Sequence, residues 1–260
     1  MPIGDIQLGA PGCDKARLRQ HVQWGVDHGV FFHGLGDYTD FLSPSNRRFL
    51  QNAGLYDTAG SLIERWHREH MDELKDILRP TIGMWTGLHE GHHLYEYDDG
   101  TTCDTDLARF LEAPFLGTAA VTRLTFRDTS RHAVECLTWS HHGEGGGANP
   151  FLRLEAVAPG FPQVDIFMQG HNTQLASKKR EAIMFYGVDN RLRMRAKEIL
   201  FVIAGGFMRG YQQGSQYSGR AQGSYVEKAM YRPTAIGGPV ITVTPRHHSE
   251  YNDLQIQCSV

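Results

Sequence analysis

The stretch Val30-Phe31-Phe32-His33-Gly34-Leu35-Gly36-Asp37-Tyr38-Thr39-Asp40 decides how this chain is read. A largely apolar run of strand length is broken by glycine, and a carboxylate follows at once. Such a run bounded by turn residues predicts a buried strand. A glycine beside an acidic side chain permits the sharp turn that presents it at the strand's end. Before this stretch, residues 2–6 predict a short strand ended by the Pro11-Gly12 turn. Asp14 then predicts an N-cap for a helix carrying Leu18, Val22 and Val26, closed by Gly29. After it, residues 61–78 predict the longest helix, stopped at Arg79-Pro80. A strand over 81–88 and a short helix over 104–111 come next.

From residue 119 the texture changes to closely spaced strands, predicted over 121–126, 133–139, 151–157, 164–168, 182–186, 199–204 and 239–243. Strand-helix alternation followed by a strand-rich half predicts an α/β or α+β sandwich. With no repeat and no biased linker, one domain over residues 1–260 is expected. Residues 143–147 and 210–223 are expected to be loops. The composition, 40% hydrophobic and 21% charged, is that of a globular protein. A net charge of −3 gives no overall attraction to nucleic acid or acidic membranes, and the Lys178-Lys179-Arg180 run is too short to supply a patch. Cys13, Cys103, Cys136 and Cys258 form no CxxC pair and read as free thiols of a reducing compartment. Neither a leader nor a membrane-length run is seen, so a cytoplasmic protein without membrane association is expected.

Five apolar runs end alike, in Ile3-Gly4-Asp5, Leu35-Gly36-Asp37, Leu88-His89-Glu90-Gly91-His92-His93, Trp139-Ser140-His141-His142-Gly143 and Met168-Gln169-Gly170-His171. In open α/β sheets ligands bind in the crevice outside the carboxyl ends of the strands, so these side chains can converge. Carboxylates and imidazoles together suit Mn²⁺, Fe²⁺ or Zn²⁺ better than Ca²⁺ or Mg²⁺. The remaining histidines, among them His21, His28, His33, His67, His70, His132, His247 and His248, read as packed or solvated. Gly143-Glu144-Gly145-Gly146-Gly147 lacks the Gly-Lys-Ser/Thr ending of a phosphate-binding loop, and no Gly-X-Ser-X-Gly elbow occurs.

The order Asp, Gly-Asp, Gly-X-His, His-X-Gly and Gly-His across residues 4–173 resembles the calcineurin-like metallophosphoesterase family. The block Gly36-Asp37-Tyr38-Thr39-Asp40-Phe41 and the stretches 224–233 and 237–239 look like its phage and prophage members. The resemblance implies a sandwich of two mixed β-sheets flanked by helices. It also implies that Asp37 bridges two metals, Asp5 serves the first, and His92, His141 and His171 serve the second. His93 matches the general acid, and Tyr38 and Asp40 stand where they can orient the site. His142 is the alternative to His141, and a register through Gly87 would put Leu88 at the ligand position of the third motif. Gln7 and Thr173 stand where the family has two further imidazoles, so one tight ion and one weak ion are expected.

Mn²⁺ is the expected metal, with Zn²⁺, Fe²⁺ and Mg²⁺ as alternatives. The implied activity is hydrolysis of a phosphoester, preferably a diester, by metal-bound hydroxide. A nuclease acting on DNA or RNA is one alternative. A catalytically inactive binding or structural protein that keeps the fold is another. The chain is expected to act alone or as a simple homo-oligomer.

Overall fold

The computed structural model describes residues 1–41, 52, 56–127, 133–145, 147, 149–211, 225–228, 230–248 and 251–260. His132 and nearly all of the loop expected at 210–223 lie outside them.

The first half builds a four-stranded sheet, β1 (Pro2–Ile3), β2 (Phe32–Gly34), β3 (Trp85–His89) and β4 (Phe115–Gly117), in that spatial order. Every neighbouring pair is parallel, so each connection is a crossover, and helices supply them. Helix α1 (Lys15–Asp27) starts where expected, with the Asp14 carboxylate accepting the Arg17 N–H at 3.0 Å. Helix α2 (Asp57–Leu78) joins β2 to β3, and α3 (Cys103–Phe110) joins β3 to β4. Leu18 and Val22 of α1, Leu74 and Leu78 of α2 and Leu107 of α3 close over Ile3, Phe32 and Leu88 in one buried cluster. Each fully buried large apolar side chain there contributes roughly 1.5–3 kcal/mol.

The second half builds a five-stranded mixed sheet from β5 (Ala119–Arg127), β6 (Ala133–His141), β7 (Ile166–Gln169), β8 (Leu175–Val188) and β9 (Arg191–Ala204), ordered β5-β6-β7-β9-β8. Its side chains alternate between two cores. Cys136, Ile166, Met168, Leu200 and Val202 face a hairpin of β10 (Val240–His247) and β11 (Asn252–Ser259), packing on Ile256. Trp139, Phe167, Phe201 and Ile203 face the opposite way, onto Leu154 of helix α4 (Leu152–Val157). The architecture is therefore mixed α/β, with stacked sheets flanked by helices. The first sheet is parallel throughout and only the second is mixed.

Residues 151–157, expected as a strand, are helical from Leu152. Leu, Arg, Glu and Ala favour a helix, and a single turn of six residues is too short for periodicity to identify. Beyond Ile199, β9 runs further back than expected, to Arg191, through the polar segment Arg191-Leu192-Arg193-Met194-Arg195-Ala196-Lys197-Glu198. Strand β4, only three residues long, and strand β11, which alternates polar and apolar residues, also fall outside the expected strands. No helix among the described residues is long and apolar enough to cross a membrane.

Candidate metal centre

Asp5 follows β1, Asp37 follows β2, His92 follows β3, His142 follows β6 and His171 follows β7. All five loops meet where the two sheets abut. There Leu35 leaves the parallel sheet and its carbonyl receives the His142 ring at Nδ1, 2.6 Å away. Asp5, Gln7, Asp37 and His171 hold φ of 49°, 52°, 53° and 58°. That left-handed conformation costs a non-glycine residue of order 1–3 kcal/mol and concentrates at ligand-holding sites.

Asp37 is the hub. One of its oxygens, Oδ1, accepts the main-chain N–H groups of His92 at 2.5 Å and His93 at 3.0 Å. The other, Oδ2, accepts from Gln7 Nε2 at 3.0 Å and stands 3.3 Å from Nε2 of His142. Burial disfavours the ionised carboxyl, but the His142 and His93 rings and these N–H donors hold its pKa below the usual carboxylate value. Gly91 is required for this grip, because a Cβ there would run into the Asp37 main chain and Oδ1. The Gly91 N–H is in turn anchored by Oδ2 of the buried Asp104 at 2.8 Å. Asp104 carried no signal in the sequence beyond its place at a helix start.

Three imidazoles converge beside that carboxylate. Ligand nitrogens of His92, His142 and His171 all lie within 4.8 Å of one another, and the Nδ1 atoms of His92 and His171 are 3.2 Å apart. Burial lowers the pKa of His92 and, together with the neighbouring His142, brings that of His171 down to about 4, which leaves both rings neutral. His142 behaves differently. Its burial opposes charge, yet the Asp37 and Asp5 carboxylates raise its pKa to about 9, so metal binding at this ring is proton-linked.

His141, expected in the cluster, lies outside it. It is the last residue of β6, two positions from Trp139, and the two rings stack at 5.8 Å on one face of the sheet. Period-two alternation therefore points its neighbour His142 at Asp37. His89 is buried, with Nδ1 on the Gly117 carbonyl at 2.9 Å and Nε2 on Ser140 Oγ at 2.7 Å, so the Gly91 register puts His92 at the cluster and leaves His89 in the core.

Asp5 stands behind the hub with Oδ2 buried and without a hydrogen bond. Its pKa is driven up to about 7 by burial, with His142 opposing and Asp37 reinforcing the shift. A buried carboxylate oxygen that lacks a donor and three neutral-capable nitrogens around a second carboxylate fit a divalent transition metal. His93 lies to one side, with Nδ1 3.0 Å from Asp40 Oδ1 and Nε2 4.0 Å from Asp37 Oδ2. Burial works against its charged form, but Asp40 and Asp37 outweigh it and raise its pKa. Gln7, Thr173 and His93 share with Asp5 and Asp37 the wall of a cleft of about 450 Å³.

No protein-family model matches this chain, and no curated protein does. Among solved structures, wild-type Vps29 complexed with Zn²⁺ from Entamoeba histolytica is similar at a TM-score of 0.27 and 10% identity, over 66% of this chain and 82% of that one. The likeness is too slight to carry residues across, and the site stands on its own geometry.

Proposed function

We propose that this chain hydrolyses a phosphoester, preferentially a diester, at a metal centre made by Asp37, His92, His142 and His171, with Asp5 beside them. The observation that carries this reading is the convergence of three imidazoles on a carboxylate whose other oxygen is clamped by two main-chain N–H groups. A divalent ion held there supplies Lewis acidity toward a phosphoryl oxygen and lowers the pKa of water. Mn²⁺ is the preferred metal of this proposal, with Zn²⁺ and Fe²⁺ satisfying the same donors.

The chain's own groups divide the remaining work. Asp37 fixes the ligand set through its main-chain clamp. Gln7 and Thr173 present an amide and a hydroxyl to the non-bridging oxygens of a phosphate in the cleft. With Asp40 accepting at Nδ1, the protonated His93 ring carries its second proton at Nε2, which suits donation to the leaving oxygen. Asp40 is a positioning residue in that arrangement. Lys228 is the single Lys or Arg among the described residues that line the cleft, which favours a small diester over a nucleic-acid polymer.

The test is turnover of bis(p-nitrophenyl) phosphate by protein purified without chelator, with Mn²⁺ added, beside the Asp37→Asn variant. Turnover that vanishes together with bound metal in the variant is expected. A wild type that binds metal yet turns over neither this diester nor an aryl monoester with Mn²⁺, Zn²⁺ or Fe²⁺ would make the chain a binding protein.

A further inference from the structure

The cleft beside the metal centre continues past the groups that would handle a phosphate. Its volume, about 450 Å³, is in the range of sites for small organic molecules. Besides Asp5, Asp37 and His171 it is walled by Ala10, Pro11, Met208 and Tyr231. Main-chain hydrogen bonds tie that apolar wall to the loop after β1. The Ala10 N–H donates to the Gln7 carbonyl at 3.0 Å, and the Phe207 N–H, next to Met208, donates to the Asp5 carbonyl at 3.0 Å.

Tyr231 reaches the cleft on an anchored turn. Helix α5 (Tyr225–Lys228) is short, yet its Val226 is buried against Ala10 and Met208. Gly210 leaves the room this needs, because a Cβ there would stand 2.6 Å from the Val226 side chain. The Tyr231 N–H returns to the Val226 carbonyl at 2.9 Å, and the Glu227 carboxylate accepts the Tyr211 N–H at 2.6 Å. The Tyr231 ring is still 39% exposed. An aromatic ring held at its base and open on its surface offers a face for a flat ligand ring to stack on.

Two amides add a polar edge to the same cleft. Asn172 and Gln174 flank Thr173 directly after His171, and Asn172 Oδ1 accepts the Gln174 N–H at 3.0 Å, which holds that amide in place. Side-chain amides match the adjacent donor and acceptor on the edge of a nucleobase. We propose that the substrate's phosphate carries a nucleoside, with the base against Tyr231 and Met208 and its edge read by Asn172 and Gln174. Stacking on one side and hydrogen bonds at the edge are the usual means of holding a single base. A glycerol or small alkyl group would leave the apolar wall wet, and a plain aryl group would take both amides out of water with no partner in exchange. The inference rests on the phosphoester reading of the metal centre, which sets the end of the cleft where the phosphate lies.

Isothermal titration of protein purified without chelator and supplied with Mn²⁺ tests it without requiring turnover. Adenosine and thymidine 5′-monophosphates, phenyl phosphate and methyl phosphate share the phosphate and differ only in what it carries. The tighter nucleotide should bind about tenfold better than phenyl phosphate, and phenyl better than methyl phosphate. Tyr231→Ala should weaken the nucleotide about tenfold and Tyr231→Phe should not. Asn172→Ala with Gln174→Ala should weaken the nucleotide and spare phenyl phosphate. Nucleotides that bind no better than phenyl or methyl phosphate overturn the proposal, and so does full nucleotide affinity in Tyr231→Ala. If that variant loses its circular dichroism, Tyr231→Leu, which keeps bulk but no flat face, is read in its place. Turnover of bis(p-nitrophenyl) phosphate by the same protein separates the two readings. Turnover without nucleotide preference removes the nucleoside subsite alone, whereas nucleotide preference without turnover upholds the subsite and removes the hydrolase.

Discussion

Nδ1 of His142 lies 2.6 Å from the carbonyl of Leu35, and its Nε2 faces Oδ2 of Asp37 at 3.3 Å. A carbonyl can only accept, so the proton sits on Nδ1 and, when the ring is neutral, the lone pair sits on Nε2. That is the tautomer a metal-ligating histidine needs, set by a main-chain group of the neighbouring sheet.

His142→Ala should therefore remove most of the tightly held metal, because it deletes one nitrogen and the partner of Asp37. His141→Ala, whose ring stacks on Trp139, should leave metal content near that of wild type. Metal analysis of dialysed protein distinguishes the two, and loss in His141→Ala alone would restore the motif reading that places His141 in the cluster.

The three histidines of the third motif should separate by phenotype. His92→Ala should lower bound metal. His93→Ala should keep metal but slow turnover, most for substrates with poor leaving groups, and Asp40→Asn should do the same more mildly. His89→Ala should instead destabilise the fold by roughly 2–4 kcal/mol, since it opens a cavity and strands Ser140. Urea unfolding beside single-turnover kinetics would read all four, and a metal-free His89→Ala of normal stability would favour the Gly87 register.

Metal stoichiometry should be close to one tight ion per chain. Asp5 and Asp37 face Gln7 and Thr173 rather than two more imidazoles, and amide and hydroxyl oxygens hold transition metals weakly. The double change Gln7→His with Thr173→His should raise the count toward two. Two equally tight ions in the unmodified protein would instead mean that these oxygens, or another residue, complete the second position.

Asp104 gives a pH-dependent signature that needs no metal. Burial raises its pKa from 3.8 to about 6, so between those values the folded protein keeps a proton that the unfolded chain releases. The Asp104 contribution to stability therefore falls as pH rises through that window, by about 3 kcal/mol in all, and is constant above it. Asp104→Asn still accepts from Gly91 but carries no charge. Its stability relative to wild type should grow by about 3 kcal/mol between about pH 4 and about pH 7. A difference that stays constant across that range would show that Asp104 does not titrate as described.

Much of the centre was legible because ligands placed directly after strands leave a repeating mark in sequence. Asp5, Asp37, His92 and His171 each follow a glycine-containing turn after an apolar run. The choice between His141 and His142 was not, because it turns on which face of β6 the last residue occupies, and a one-residue shift reverses that face. Asp104 was invisible for a different reason. Its work is to hold the Gly91 N–H across the fold, and no local pattern encodes a contact made thirteen residues away. Of the outer β8–β9 hairpin only residues 182–186 were expected as strand; Arg191-Leu192-Arg193-Met194-Arg195 also alternates polar and apolar at the strand period, but its charge density reads as loop.

The placement of the centre between the sheets has a mechanical consequence. Asp5, Asp37 and His92 belong to loops of the parallel sheet, and His142 and His171 to loops of the mixed one. An ion gripped by both sets acts as a clasp, and its binding free energy is added to the work of pulling the layers apart. Chelation should then loosen the join between layers before it melts either one, so that hydrogen exchange quickens first along Leu35 and Gly170 while the strand interiors stay protected.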